Sequence, residues 1–269
     1  MEALAARVVT EPPIASRRHS QLPIGATAVA VIFSFIALAG ALAGDPASQA
    51  QEAFRHSKSE YKTQPRNAKA GWRFARACFD LADFSTNSAQ RADLAEQGIA
   101  ASRQAIALDP TAAAGHYYLG LNLGQLARTR GLSALKLLDE MEREWNRARE
   151  LDEKFDHAGP DRSLGLLYRD APSFISIGSR TKAREHLLRA VQLAPDFPEN
   201  CLDLIETYLK WGNRNEARTE LKALEARLPA ARAKFSGPEW AASWADWDQR
   251  LDAARQKLGQ PARIQSPRH

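Results

Sequence analysis

The chain has 269 residues, of which 44% are hydrophobic and 26% are charged, and its formal net charge is +5. This composition is ordinary for a globular protein and excludes a collagenous or wholly disordered chain. The positive charge is spread along the chain and forms no basic stripe, so nucleic acid is not expected as a partner.

An apolar segment near the N-terminus is the first predicted element. Residues 24–42 carry no charged side chain, Arg17 and Arg18 precede them, and Asp45 follows. Roughly 20 apolar residues can span a bilayer, and basic residues before such a segment keep that end in the cytoplasm. We predict a cytoplasmic region at 1–23 and export of the chain after residue 43 to the periplasm or cell envelope. Residues 24–43 are either a cleaved signal peptide, as the ending Ala41-Leu42-Ala43 suggests, or an inner-membrane anchor.

The remaining chain is predicted to form consecutive helices, and its second half contains a repeat. Two copies of one pattern are related by a 34-residue displacement: Ala183-x3-Leu187-x2-Ala190-x4-Pro195 and Ala217-x3-Leu221-x2-Leu224-x4-Pro229. Each copy follows a segment with its own pattern, Leu164-Gly165-x2-Tyr168 or Leu204-Ile205-x2-Tyr208. The combination resembles the tetratricopeptide repeat (TPR), a helix–turn–helix unit with a period of about 34 residues.

Weaker copies upstream extend this prediction to an all-α, TPR-like solenoid of about four helix pairs over residues 47–229. Its first part, from Ala47 to Pro65, is predicted as an N-terminal capping helix. We expect extra residues to separate the two helices in each of the first three pairs. Gly165 is expected to admit its partner helix closely, and Pro229 is expected to end the last unit.

The region after Pro229 departs from the repeat. Trp240, Trp244 and Trp247 share one helical face, with Leu251 continuing it. We predict a capping helix within 230–257 that covers the last repeat, with a ligand-binding tryptophan stripe as the alternative. Residues 258–269 are predicted to be a disordered tail. The two cysteines, Cys78 and Cys201, are expected to be buried and unpaired.

No motif for catalysis, metal binding or cofactor binding is found. The six histidines never occur at metal-ligand spacing, and Walker A, G-x-S-x-G and H-E-x-x-H patterns are missing from the sequence. We therefore expect no cofactor, no metal and no enzymatic activity, with an enzyme built on the concave surface as a minor hypothesis.

Candidate partner-binding residues follow from the TPR resemblance, which implies that the first helix of each pair lines a concave surface. The candidates are Arg73, Asp80, Tyr117, Gln125, Arg162, Arg169, Glu206 and Lys210. Arg162 and Arg169 lie two helical turns apart and are a candidate site for an anionic group. The alternative is that they pair within the chain, with Asp161, Asp170 or the neighbouring repeat.

The loop that follows the first helix of the third pair carries three large apolar residues, Phe174, Ile175 and Ile177. They are predicted either to fold back over the helix pair or to contact a partner or lipid.

The stretch 158–172, followed by Gly178 and Ala183-Arg184, resembles the T component of TRAP-type transporters. That resemblance implies an oligomer and a solute-binding partner protein. The functional prediction is therefore an exported, non-catalytic adaptor that binds another envelope or membrane protein. The alternative is a transport accessory that aids uptake of a small organic anion.

Overall fold

The structure is a computed structural model that describes residues 45–173 and 176–259. Within these ranges the chain is α-helical with short connections and contains no β-strand, as predicted. The helices are α1 (Pro46–Thr63), α2 (Ala68–Asp83), α3 (Ser88–Leu108), α4 (Ala113–Ala127), α5 (Leu135–Leu151), α6 (Phe155–Asp170), α7 (Arg180–Leu193), α8 (Pro198–Trp211), α9 (Arg214–Lys234) and α10 (Ala241–Lys257). Short 3-10 turns at Gly131–Ala134 and Pro238–Trp240 precede α5 and α10.

The helices pack as four successive pairs, α2 with α3, α4 with α5, α6 with α7 and α8 with α9. The first helices also contact one another in order, α2 with α4, α4 with α6 and α6 with α8, so each pair stacks on the next. α1 covers α2 at one end, and α10 covers α8 at the other. The described residues therefore confirm the predicted TPR-like solenoid with capping helices.

Glycines allow the helices within a pair to approach closely. A Cβ atom added at Gly165 would lie 2.6 Å from Cγ of Leu187 on α7, which confirms the predicted role of Gly165. Gly120 on α4 has the same role, because its added Cβ would lie 2.3 Å from the indole nitrogen of Trp145 on α5. Each glycine thus leaves the space that a large side chain of the partner helix fills.

Two helix boundaries differ from the sequence prediction. The extra residues of the first pair belong to α3, which begins at Ser88, and the connection between α2 and α3 is short. Asn87 starts this helix early because its side-chain oxygen accepts hydrogen bonds from the backbone nitrogens of Ala89 and Gln90. At the other end, α9 continues through Pro229 to Lys234, so the boundary drawn at residue 229 falls inside a helix.

The tryptophans after α9 are part of the core. Trp240 and Trp247 are buried and pack with Phe197 and Phe235 in the second of two hydrophobic clusters. Arg232 lies over the ring of Trp244, which is only partly buried. The tryptophan stripe therefore packs against the last repeat, as the capping prediction requires.

The two cysteines, Cys78 and Cys201, are buried and unpaired, as expected. The predicted signal or anchor segment at 24–43 lies outside the described residues, and so does most of the predicted tail. In the two described ranges, no helix is both long enough and apolar enough to cross a membrane.

Candidate functional site on the first-helix face

The surface formed by α2, α4, α6, α8 and α10 is called here the first-helix face. All eight predicted binding residues belong to the first four of these helices. The structure brings two pairs of them together: Tyr117 contacts Arg162 directly, and Arg169 and Lys210 share the carboxylate of Asp170. The other four predicted residues contact different partners.

A buried cluster joins α4, α6 and α8 near the centre of this face. The hydroxyl of Tyr117 donates a hydrogen bond of 2.8 Å to Oδ2 of Asp156. The guanidinium of Arg162 donates to the same carboxylate oxygen at 3.2 Å and to Oδ1 of Asn200 at 2.9 Å. Arg162 is only 2% exposed. Its charge therefore depends on these partners, because a buried and unpaired guanidinium would be very costly.

The charges in this cluster support one another. Burial alone would raise the pKa of Asp156, but the charges of Arg162, His157 and Arg76 and the hydrogen bond from Tyr117 together outweigh burial and lower it. Burial and the Asp156 carboxylate together raise the pKa of Tyr117 well above its ordinary value. At neutral pH the cluster thus contains an ion pair and a neutral phenol that donates a hydrogen bond.

A left-handed turn places Asp156 in the cluster. Asp156, His157 and Ala158 have φ angles of 48°, 56° and 64° at the start of α6. Such a conformation costs roughly 1–2 kcal/mol for each non-glycine residue, so the surroundings must stabilise it. The side chain of Asn200 donates to the backbone oxygen of His157 at 2.9 Å, and the His157 ring stacks on Phe197 with ring centroids 4.3 Å apart.

A second cluster joins α6 to α8. Arg169 donates to both carboxylate oxygens of Asp170, at 2.9 and 2.6 Å, and to the hydroxyl of Thr207 at 3.2 Å. Lys210 on α8 donates to Asp170 at 2.6 Å and remains half exposed. Burial alone would raise the pKa of Asp170, but the hydrogen bond and charge of Arg169 lower it.

A third cluster joins α8 to α10 and is rich in carboxylates. Arg250 on α10 donates to Glu206 at 2.8 and 3.0 Å and also to Asp203. Asp246 lies 3.8 Å from the same guanidinium. One guanidinium thus faces three carboxylates, and Oδ2 of the buried Asp203 has no hydrogen-bond partner among the described residues. Burial raises the pKa of Asp246 to about 6 despite the nearby Arg250.

The N-terminal end of the face is built from α2 and α4. Gln125 on α4 and Arg128, the residue that follows this helix, both donate to Oδ1 of Asp83 on α2, at 3.3 and 3.0 Å. Asp80 lies 3.6 Å from Arg76. Burial raises the pKa of Asp80 to about 7, because the nearby Arg76 offsets only part of the desolvation.

Arg73 also lies at this end, 3.7 Å from Glu60 of the capping helix α1. Its guanidinium stacks over Trp72, 5.9 Å from the ring centroid. Arg73 therefore joins α1 to α2 rather than one helix pair to the next.

The arginine pair proposed for an anion is engaged within the chain. Arg162 contacts Asp156 and the neighbouring repeats, and Arg169 contacts Asp170. The intramolecular alternative is therefore the observed arrangement. The partner of Arg162 is not Asp161, whose carboxylate instead accepts from His186 at 2.7 Å.

Among the loop candidates, Phe174 and Ile175 lie outside the described residues. Ile177 is partly buried and packs against the first hydrophobic cluster, so the fold-back interpretation holds for this residue. No group of three or more His, Cys, Asp or Glu side chains in the described ranges is arranged to hold a metal ion.

Three important residues of the face were not predicted from the sequence. Asp156 was missed because left-handed turns are normally indicated by glycine, and residues 156–158 include none. Asp203 and Arg250 were missed because α10 was interpreted only through its tryptophans. Arg250 and Asp246 lie four residues apart on α10, and this spacing of opposite charges was the available signal.

Comparison with solved structures identifies the fold. A thermophilic TPR protein of Thermus thermophilus matches with a TM-score of 0.59 and 19% sequence identity, over 78% of this chain and 92% of that chain. MamA matches with a TM-score of 0.48 and 21% identity, over 70% and 93% of the two chains. YrrB, described as a TPR protein with an unusual peptide-binding site, matches with a TM-score of 0.43 and 15% identity, over 77% and 92%. The first likeness shows that this chain has the TPR fold.

Comparison of sequences gives a narrower result. The profile of a family described as RMD1-3, regulator of microtubule dynamics protein 1-3, matches residues 35–157, which is less than half of the chain. No curated protein matches the chain in sequence. The resemblance to the T component of TRAP-type transporters receives no support from these comparisons.

Proposed function

We propose that this chain is a non-catalytic scaffold that binds a segment of another protein along the first-helix face. The observation that carries the proposal is that hydrogen bonds and ion pairs link each first helix to the next. They run from α2 to α4 through Asp83, from α4 to α6 through Tyr117, from α6 to α8 through Arg162 and from α8 to α10 through Arg250. Side chains already fixed in this way lose little conformational entropy when a partner binds.

Several members of this network remain accessible to a partner. The side chains of Arg128, Glu206 and Lys210 are 30%, 27% and 54% exposed. At the α8–α10 end, three carboxylates share the guanidinium of Arg250. We therefore propose that a basic side chain of the partner docks at this end, where it would pair with the accessible carboxylate of Glu206.

Charge reversal on the face tests this proposal. The tagged full-length chain is cross-linked in cells and its partners are recovered, with Arg128→Glu and Glu206→Lys compared with wild type. Lys222→Glu is the control because Lys222 is exposed on the second helix α9. Loss of the same partner in both face variants, with the control unchanged, supports the proposal. Equal recovery from all three variants contradicts it.

We also propose that residues 24–43 direct the chain to the cell envelope, as the apolar run with preceding arginines suggests. A C-terminal reporter that is active only outside the cytoplasm tests this. We expect reporter activity from the full chain and none after deletion of residues 1–43. An inactive reporter on a full chain that accumulates in the cytoplasm would contradict the proposed location.

The identity of the recovered partner separates this scaffold from its alternatives. A solute-binding protein or permease would favour the transport accessory, which rests only on the local resemblance of residues 158–172. Tubulin would favour the role named by the family that matches residues 35–157. An exported location would exclude tubulin, so the reporter and recovery experiments check each other.

A further inference from the structure

A cavity of about 490 Å³ lies between α7 and the end of α8, away from the clusters described above. Helix α7 contributes Arg180, Thr181, Arg184 and Leu188, and the end of α8 contributes Trp211. Binding sites for small molecules have volumes of roughly 300–1,000 Å³ and combine apolar walls with a few polar groups. The cavity is open to solvent, its volume lies in this range, and Trp211 and Leu188 supply its apolar walls.

The wall formed by the end of α8 is rigid. Trp211 is partly buried and packs against both hydrophobic clusters. Directly after it, Gly212 has a φ of 80° and ends the helix. The backbone nitrogen of Asn213, which also lines the cavity, donates to the oxygen of Tyr208 at 2.9 Å. The indole ring and the backbone that carries the amide side chain are therefore held in place before any ligand arrives.

The two arginines in this cavity differ from the arginines of the first-helix face. In the ranges that the structure describes, neither Arg180 nor Arg184 has a hydrogen bond or ion pair from its side chain to another residue, whereas Arg162, Arg169 and Arg250 are all paired. The guanidinium of Arg180 lies over the Trp211 ring, 5.7 Å from its centroid.

The charge of the cavity is not balanced. Arg180 and Arg184 are four residues apart on one helix, so their like charges lie close together and repel each other. Glu185 is the only acidic residue that lines the described cavity. A bound anion would relieve this repulsion and accept hydrogen bonds from guanidinium groups that donate none to the other described residues.

We propose that this cavity binds a ligand that joins an oxyanion, a carboxylate or phosphate, to a flat apolar group. Arg180 and Arg184 hold the oxyanion, with the hydroxyl of Thr181 and the amide of Asn213 as additional polar contacts. The flat group takes the place of the Arg180 guanidinium over the Trp211 ring and also contacts Leu188, while Arg180 turns to the oxyanion. Trp211 belongs to α8, but the site uses none of the paired side chains through which the first-helix face is proposed to bind a partner.

The probes are phenyl phosphate and benzoate, with inorganic phosphate and benzylamine as comparison compounds. Binding to the full-length chain is followed through the indole NMR signals and by titration calorimetry. We expect saturable binding of phenyl phosphate and benzoate, with weaker binding of inorganic phosphate and no binding of benzylamine. Arg184→Glu should weaken binding of phenyl phosphate at least tenfold. Arg66→Glu, the same charge change at an exposed residue between α1 and α2, should leave it within twofold.

Three outcomes would overturn the proposal. They are the failure of both aromatic probes to saturate, an equal loss of binding in Arg184→Glu and Arg66→Glu, and equal affinity for phenyl phosphate and inorganic phosphate. Because Arg184 is exposed, its substitution should not prevent folding, and thermal unfolding verifies this. A tetrapeptide ending in phenylalanine, with a free or an amidated carboxyl terminus, then shows whether a polypeptide end also supplies the ligand chemistry.

Discussion

Arg162 on α6 donates a hydrogen bond of 2.9 Å to the side-chain oxygen of Asn200 on α8, and this bond joins the third helix pair to the fourth. The same guanidinium pairs with Asp156, which in turn accepts from Tyr117 on α4. Three consecutive first helices are therefore held in register by one buried cation. The preorganisation of the first-helix face depends on this arrangement.

Replacing the cation should destabilise the fold strongly. We expect Arg162→Met to lower the free energy of unfolding by about 2–4 kcal/mol, because Asp156, which is 21% exposed, would lose its ion-pair partner and the buried Asn200 would lose a hydrogen-bond donor. Denaturant unfolding measures the change. Arg66→Met is the exposed control and should change stability by less than about 0.5 kcal/mol. A loss below about 1 kcal/mol for Arg162→Met would show that the ion pair does not hold the helices together.

At the left-handed turn, we expect a substitution by glycine not to lower stability as glycine usually does. Ala158→Gly should be neutral or slightly stabilising, because relief of roughly 1–2 kcal/mol of strain offsets the lost methyl group. Ala183→Gly is the control: this buried alanine lies within α7, where glycine costs about 1 kcal/mol plus the lost methyl group. If thermal unfolding shows equal losses in both variants, Ala158 does not have a left-handed conformation.

The repeat itself could be predicted because the residues that pack within a helix pair belong to one repeat of the sequence. Gly165 and Leu187 occupy fixed positions in the 34-residue pattern, and the structure places one against the other. The interactions across the face could not be predicted in the same way. Asp156 contacts Tyr117 only because three residues adopt a left-handed conformation. Arg250 contacts Asp203 only because the chain after α9 brings α10 back against α8.

Close helix approach at Gly165 gives a third prediction. Gly165→Ala should destabilise the protein by about 1–3 kcal/mol, because its Cβ would lie 2.6 Å from Leu187 Cγ and 3.1 Å from the backbone nitrogen of Leu187. Gly124→Ala is the matched control on α4. Its Cβ would meet only the flexible end of Met141 at 3.3 Å, so the helix preference of alanine should leave stability unchanged or higher. Equal effects of the two substitutions in denaturant unfolding would contradict the proposed packing.

Asp80 should make stability depend on pH. Its pKa in the folded chain is about 7, above the value of roughly 3.9 for an unfolded aspartate. The folded state thus binds the proton more tightly, and this contribution to stability is complete below pH 4 and lost as pH rises through 7. Asp80→Asn should gain about 2–4 kcal/mol relative to wild type between pH 4 and pH 8.

Asp139→Asn is the control for this pH series, because Asp139 is exposed on α5. A difference in unfolding free energy between Asp80→Asn and wild type that does not change between pH 4 and pH 8 would mean that Asp80 is ionised in the folded chain at neutral pH.

The central claim, that the first-helix face binds a polypeptide partner, is tested most directly by site-specific photo-cross-linking in cells. A photoreactive residue is introduced at Lys210 on α8 and, in a separate chain, at Lys222 on α9. We predict that a discrete protein adduct forms from position 210 and is lost when Arg128→Glu is added, with no such adduct from position 222. Adducts from position 222 alone, or a position-210 adduct that Arg128→Glu leaves unchanged, would contradict the claim.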